Sequence, residues 1–171
     1  MVHFVGAGPG ATDLITVRGQ NLLKEADVII YAGSLVNKEH LNLAKEGCGI
    51  YNSASMTLEE VIDVIKKAEQ EGKMTVRLHT GDPSIYGAIR EQMDRLNELH
   101  IAYDVVPGVS SFCGAAAALK AEYTLPDVSQ TVIITRMAGR TPVPEKEEIS
   151  LLAAHQATMA IFLSTGLLKP L

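Results

Sequence analysis

The sequence of 171 residues contains no tryptophan and few other aromatic residues, with three phenylalanines and five tyrosines. So few rings do not supply the stacking surfaces on which single-stranded nucleic acids bind. Basic residues are outnumbered as well: 15 lysines and arginines stand against 20 aspartates and glutamates, and the net charge is −5. No run of lysine and arginine forms a basic patch. The composition therefore predicts that nucleic acid is not a partner.

Cysteine is also scarce. Cys48 and Cys113 lie far apart and form no C-x-x-C pair, so we interpret them as small buried hydrophobic residues in a reducing compartment. The five histidines show none of the spacings of a helical or finger-type metal site, and we predict no metal. The amino terminus lacks the basic and apolar regions of a signal peptide, and no stretch is long enough to span a bilayer. These absences predict a cytoplasmic protein without a membrane partner.

The first 108 residues alternate short apolar runs with amphipathic segments. Continuous apolar runs are typical of strands that are buried on both faces of a parallel sheet. The runs predict strands over 2–5, 28–31, 49–51, 74–78 and 101–106. Amphipathic segments predict helices over 14–26, 38–46 and 85–99, and a helix that begins with a Thr57–Glu60 capping box and ends at Gly72. This pattern predicts an α/β fold with helices on both faces of a parallel sheet.

The second part of the chain is shorter and less complete. It contains two predicted helices, over 109–120 and 149–155, and two predicted strands, over 131–135 and 158–163. We therefore predict two domains, an N-terminal α/β domain over 1–109 and an incomplete C-terminal α/β domain over 110–171.

The glycine-rich turn after the first strand matches the dinucleotide pattern G-x-G-x-x-A over 6–11. Two features argue against a nicotinamide-dependent oxidoreductase. The second strand ends in Tyr31 without the carboxylate that would hold a ribose, and Pro9 removes a backbone donor from the turn. A tight structural turn, or a turn that shapes the cleft of another ligand, remains open.

A second turn, over 80–83, follows a central predicted strand, and ligands bind at this edge of open α/β sheets. Thr80, Gly81 and Asp82 are candidate ligand contacts, although Asp82 could instead cap the next helix. Ser110 and Ser111 follow another strand and are expected at the same edge. His79 is interpreted as a hydrogen-bonded histidine at a strand end. Arg18, Arg136 and Arg140 are candidate partners of carboxylates, or solvated surface charges.

Taken together, the motifs at 5–10, 13–16, 26–31, 81–83 and 107–111 resemble the tetrapyrrole (corrin/porphyrin) methyltransferase family. Three further stretches, 31–36, 78–87 and 122–145, are similar to members of this family that methylate carbon 11 of precorrin-4 or cobalt-precorrin-4. The resemblance covers essentially the whole chain.

The resemblance implies a two-domain tetrapyrrole methylase fold, a homodimer, and methyl transfer from S-adenosylmethionine to a small tetrapyrrole in corrin ring biosynthesis. Methylation of another ring position or of uroporphyrinogen III is the alternative on this fold. Matched motif by motif, the residues implied at the cofactor are Pro9, Thr80, Gly81, Asp82, Tyr86, Ser110, Ser111 and Leu163. Arg18, Arg136 and Arg140 are implied at the carboxylates of the substrate. The resemblance implies no particular general base.

This sequence departs from the family at its end. Family members continue well past the motif at 159–164, whereas this chain stops at Leu171. We therefore expect part of the second domain to lie outside this sequence, and a catalytically incomplete fragment is a further alternative.

Overall fold

The computed structural model describes residues 1–139 and 141–167. The chain divides into two compact units, Met1–Gly114 and Ala115–Leu171. The domain boundary that we placed after residue 109 stays a prediction. None of the helices in the described ranges is long and apolar enough to cross a membrane.

The first unit is built on a five-stranded parallel sheet. Its strands are β1 (Val2–Gly6), β2 (Val28–Tyr31), β3 (Gly49–Asn52), β4 (Thr75–His79) and β5 (Tyr103–Val106). The helices that follow them are α1 (Val17–Glu25), α2 (Leu58–Gln70), α3 (Arg90–Glu98) and α4 (Ser111–Leu119), which runs past the end of this unit. Cys113, in α4, is exposed, so the prediction of a buried cysteine is wrong at this position. The predicted α/β class with a parallel sheet is confirmed.

The strand order is β3-β2-β4-β1-β5, so the chain reverses its direction across the sheet after β3. Crossovers in the two directions place their helices on opposite faces. One apolar cluster joins Phe4 and Ile30 of the sheet to Ile65 of α2 and Leu96 of α3. The other joins Val5 and its neighbours to Leu23 of α1. Because β1 lies between β4 and β5, the loops that leave these three strands are neighbours.

The helix boundaries differ from the predicted ones where turns intervene. Residues Thr12–Leu14 form a 3-10 turn, and α1 starts only at Val17, where the Thr16 side chain accepts a hydrogen bond from the Gly19 N–H. Thr16 is therefore the cap of α1. The segment Lys38–Leu43 is a 3-10 helix and not an α-helix. The Thr57–Glu60 capping box at the start of α2 is confirmed, with both of its hydrogen bonds formed.

The second unit contains two parallel strands, β6 (Val132–Arg136) and β7 (Thr158–Phe162), and the short helix α5 (Ile149–Ala153). The hydroxyl of Ser129 accepts a hydrogen bond from the Thr158 N–H at 3.1 Å and fixes the start of β7. Ile134, in the middle of β6, remains 40% exposed. These strands are therefore only partly covered in the structure.

Candidate functional site

Three loops meet at the carboxyl edge of the first sheet. The Ala7 N–H, after β1, donates to the carbonyl of His79 at the end of β4, at 2.7 Å. Gly8 and Gly81 exchange two backbone hydrogen bonds, of 2.9 and 3.2 Å. The N–H groups of Ala7 and Gly8, in the turn after β1, are therefore already hydrogen-bonded to β4 and the loop that follows it. This arrangement argues further against a pyrophosphate cradle, which needs free N–H groups.

The three loops approach so closely that side chains are excluded between them. A Cβ on Gly6 would lie 2.5 Å from the Gly81 carbonyl oxygen, and a Cβ on Gly108 would lie 2.1 Å from the same oxygen. Real Cβ atoms do not come this close to backbone, so glycine is required at both positions. The loops after β1, β4 and β5 thus pack as one layer of backbone.

Asp82 links two of these loops. One carboxylate oxygen accepts a hydrogen bond from the Ser84 N–H at 2.8 Å, and the other accepts from the Gly108 N–H at 2.9 Å. The alternative that Asp82 caps the next helix is wrong, because α3 begins only at Arg90. Its carboxylate stabilises its own turn and holds the β5 loop against it.

The two predicted serines lie beside this layer. The backbone carbonyl of Ser110 accepts from the N–H groups of Cys113 and Gly114 in the first turn of α4, at 3.0 and 3.1 Å. Its hydroxyl is buried and has no hydrogen-bond partner among the described residues. Such an orphaned group is an expected contact for a ligand. Ser111 is exposed, and a Cβ on Gly81 would lie 3.5 Å from its N–H nitrogen.

Pro9 and Thr80 border the same edge and are half-buried. The ring of Pro9 faces α4 at Gly114, where an added Cβ would lie 2.7 Å from the Pro9 Cβ. The structure therefore brings together six of the predicted positions in the first unit. All six belong to the three converging loops: Pro9, Thr80, Gly81, Asp82, Ser110 and Ser111.

The turn that leads from Pro83 to α3 is strained. Tyr86 and Ala88 both adopt positive φ values, of 54° and 50°, which non-glycine residues seldom do. Each such residue costs of order 1–3 kcal/mol and persists only where its surroundings hold it. The predicted helix over 85–99 is therefore shortened to α3. Tyr86 remains 43% exposed at the surface of this turn.

Two buried polar residues of β4 lie beneath this edge. His79 is 3% exposed, and its Nε2 has no hydrogen-bond partner within the described ranges, so the prediction of a hydrogen-bonded histidine is wrong for this atom. Burial, with the nearby positive charge of Arg77, lowers the pKa of His79 to about 3. The imidazole is therefore neutral at physiological pH.

Arg77 was not predicted. Its guanidinium is buried and donates to Gln92, Ile30 and Ser53. Burial lowers its pKa to about 10, so it stays charged at neutral pH. The signal for it in the sequence is a single arginine inside an otherwise apolar strand.

Arg18 and Arg136, two of the predicted arginines, lie outside the three converging loops. Arg18 donates to Asp104 at 2.8 Å, and Asp104 also contacts His3 at 2.6 Å. In the second unit, Arg136 donates to the backbone carbonyls of the loop after β6, at 2.9 to 3.1 Å. Arg140 lies outside the described residues. Leu163, just after β7, is 70% exposed and has a φ of 55°.

A cavity of about 440 Å³ borders the segment that follows the turn after β1. It is lined by Thr12, Asp13, Gln20, Glu39, His40, Asn42 and Leu43. No group of three or more histidine, cysteine or acidic side chains in the described ranges is placed to hold a metal ion.

Two curated proteins that are similar to this chain carry the same activity name. A cobalt-precorrin-4 C(11)-methyltransferase of Methanocaldococcus jannaschii is 60% identical over 98% of this chain, and one of Priestia megaterium is 51% identical over 98%. This chain spans 64% and 65% of the lengths of these two proteins.

Solved structures agree. A cobalt precorrin-4 methyltransferase superposes with a TM-score of 0.95 at 50% identity, over 98% of this chain and 70% of that one. A uroporphyrin-III C-methyltransferase of Thermus thermophilus, complexed with S-adenosylhomocysteine, superposes with a TM-score of 0.74 at 26% identity, over 97% and 67% of the two chains. A sequence profile described as Tetrapyrrole (Corrin/Porphyrin) Methylases matches residues 1–169, so the resemblance is confirmed and this chain belongs to the tetrapyrrole methylases.

Proposed function

We propose that this protein transfers a methyl group from S-adenosylmethionine to carbon 11 of precorrin-4 or cobalt-precorrin-4 in cobalamin biosynthesis. The substrate is inferred from the sequence identities of this chain to relatives with different named substrates. Proteins named for carbon 11 of precorrin-4 are 45% to 60% identical to this chain. A uroporphyrinogen-III C-methyltransferase of Bacillus subtilis is 34% identical over a similar length.

The three-loop edge fits the cofactor. The orphaned Ser110 hydroxyl needs a polar partner, and the exposed Ser111 and half-buried Thr80 offer further hydrogen-bonding groups. His79, held neutral, adds no positive charge that would oppose a cationic sulfonium. We therefore propose that Pro9, Thr80, Gly81, Ser110 and Ser111 bind S-adenosylmethionine, together with Asp82, Tyr86 and Leu163.

In this proposal the main task of the chain is alignment. S-adenosylmethionine supplies, when bound, an electrophilic methyl group for an electron-rich ring carbon. The loops after β1, β4 and β5 are fixed beforehand by their backbone hydrogen bonds and by Asp82, so little ordering remains when ligand binds. Holding reactants in line removes much of the entropic part of a bimolecular barrier. We assign no general base.

The substrate is a small tetrapyrrole, whose carboxylates need cations on an acidic protein. We propose Arg18, Arg136 and Arg140 for this role. The Arg18 side chain is 66% exposed although it pairs with Asp104, which leaves donors accessible. Arg136 donates to carbonyls of its own loop, and no carboxylate forms an ion pair with it among the described residues.

Two further properties follow from the family. We propose that the protein is a cytoplasmic homodimer, and sedimentation of the purified protein tests its oligomeric state. We also propose the two domains at 1–109 and 110–171. The competing proposal is a catalytically incomplete fragment, since this chain spans 64% and 65% of the lengths of two relatives.

The test is methyl transfer by the protein as its gene encodes it, with S-adenosylmethionine carrying a ¹³C-methyl group. Precorrin-4, cobalt-precorrin-4 and uroporphyrinogen III are supplied in separate reactions, and NMR locates the label. We expect one label at carbon 11 with one or both precorrin-4 forms. A label at another position, or on uroporphyrinogen III alone, would favour the alternative activity. No transfer to any substrate would contradict the proposal.

A further inference from the structure

Arg77 lies at the centre of the first sheet. It stands opposite Phe4 of β1 and Ile30 of β2, on the face covered by α2 and α3, and it is only 6% exposed. No carboxylate forms an ion pair with it in the described part of the chain. Burying a charge without a counter-charge is costly, so its retention in the strand needs a specific reason.

The guanidinium is held by three neutral groups. Nε donates to Gln92 Oε1 at 2.9 Å, and the two terminal nitrogens donate to the Ile30 carbonyl and the Ser53 hydroxyl, each at 3.0 Å. These bonds fix the planar fork against β2, the segment after β3, and α3. An ammonium group at this position could not make all three bonds in one plane.

Gln92 extends this connection to the loop edge. While its oxygen accepts from Arg77, its amide Nε2 donates to the carbonyl of Ala88 at 3.1 Å. Ala88 belongs to the strained turn with Tyr86, whose φ values are positive. Between them, Gly87 is so tightly placed that a Cβ would lie 2.1 Å from the Pro83 carbonyl oxygen.

This turn lacks the usual support at the start of a helix. Ile89, which precedes α3, provides no side-chain cap. The side-chain contact from Gln92 to the Ala88 carbonyl is therefore a restraint on this turn. Arg77 in turn fixes the Gln92 amide, because Nε can bond only to its oxygen and so orients its NH₂ toward Ala88.

We propose that Arg77 is a positioning residue which, through Gln92, holds the Tyr86–Ala88 turn in the conformation that binds S-adenosyl ligands. This inference rests on the proposed function, since the ligand is the one proposed there. The turn follows directly on the Thr80–Asp82 segment of the same loop, so a relaxed turn changes the ligand edge without any contact from Arg77 to the ligand.

The test is Gln92→Glu in the protein as its gene encodes it. A glutamate keeps an acceptor for Arg77 Nε and gains a charge pair, but it loses the donor to the Ala88 carbonyl. The matched control is Gln70→Glu, which makes the same charge change at an exposed position of α2. Three quantities are measured: hydrogen–deuterium exchange of ligand-free segment 84–89, the midpoint of thermal unfolding, and the affinity for S-adenosylhomocysteine by calorimetry.

One hydrogen bond corresponds to about two- to tenfold in an equilibrium constant. For Gln92→Glu we expect exchange in 84–89 to rise by about fivefold and the affinity to fall by about fivefold, with a midpoint within about 3 °C of wild type. Gln70→Glu should change none of the three. Arg77→Lys should weaken binding in the wild type and add nothing further in the Gln92→Glu background, since residues that act as one unit are not additive.

The outcomes separate the two proposals. If the wild type does not bind S-adenosylhomocysteine, the proposed function fails. If the wild type binds and Gln92→Glu binds equally well, the positioning role is overturned and the proposed function stands. A rise of exchange across the whole sheet, with a lowered midpoint, would also overturn it, because Gln92 would then be a general stabilising residue.

Discussion

The convergence of the three loops makes a sharp prediction for Gly108→Ala. The added methyl carbon would lie 2.1 Å from the Gly81 carbonyl oxygen and close to Gly6, whose Cα is 2.8 Å away. The φ of Gly108 lies outside the left-handed region, so alanine can adopt the backbone conformation found there. The obstacle to alanine is therefore steric. Its neighbours are backbone atoms of Gly6, which belongs to β1, and of Gly81, which is bridged to Gly8.

Relief of this overlap requires a shift of more than about 1 Å in the β4 or β5 loop to reach ordinary van der Waals contact. Overpacking of this kind costs typically 1–3 kcal/mol, and here the obstacle is rigid, so we expect a loss of about 3 kcal/mol in the free energy of unfolding. The Gly108 N–H would also move away from Asp82, which it now approaches at 2.9 Å. The affinity for S-adenosylhomocysteine should therefore fall as well.

Urea unfolding of Gly108→Ala against wild type measures the first effect, and calorimetry measures the second. Gly139→Ala is the control, because an added Cβ there meets no described atom within 4 Å and the φ is not left-handed. We expect the control to stay within about 0.5 kcal/mol of wild type. A Gly108→Ala protein as stable as this control would refute the close packing of the loops.

Three further predictions test other parts of the account. The pKa of His79 is lowered to about 3 because its imidazole is buried, so the unfolded chain takes up a proton near the ordinary pKa while the native state does not. This difference should lower the stability by about 2 kcal/mol between pH 7 and pH 5. In urea titrations the fall should therefore be about 2 kcal/mol smaller in His79→Gln than in the wild type, and an equal fall would contradict the burial of a neutral His79. Asp82→Asn replaces one carboxylate oxygen by an NH₂ group, which cannot accept from one of the two N–H groups that Asp82 now binds. Calorimetry should therefore show an affinity for S-adenosylhomocysteine about tenfold weaker. An equal affinity would contradict the link between the loops. Thr57→Ala removes the cap of α2 and should cost about 1 kcal/mol in urea unfolding with unchanged ligand affinity.

Much of the first unit could be predicted because local signals there agree with the fold. The apolar run at 28–31 becomes the buried strand β2, and the Thr57–Glu60 box starts α2 as expected. The edge position of Thr80–Asp82 and Ser110 follows from the rule that ligand loops leave the carboxyl ends of parallel strands. Periodicity, capping and turn chemistry all act within a few residues, which is why a single sequence shows them.

The features that could not be predicted depend on contacts between residues that are distant in the sequence. The late start of α3 could not be predicted, because the helical pattern over 85–99 gives no sign that Tyr86 and Ala88 adopt positive φ values. The two bonds of Asp82 require knowledge that Gly108 lies beside it, and the role of Arg77 requires the position of Gln92 on a different element. Such pairings are set by the packing of the sheet and not by local propensity.

The central claim, that the loops after β1, β4 and β5 form the cofactor site, is tested most directly by a crystal structure of the protein as its gene encodes it with bound S-adenosylhomocysteine. We predict that the ligand contacts the Thr80–Asp82 segment and that the Ser110 hydroxyl, which has no partner among the described residues, hydrogen-bonds to it. A ligand bound instead in the cavity beside Asp13, Glu39 and His40, without contact to Thr80–Asp82 or Ser110, would contradict the account.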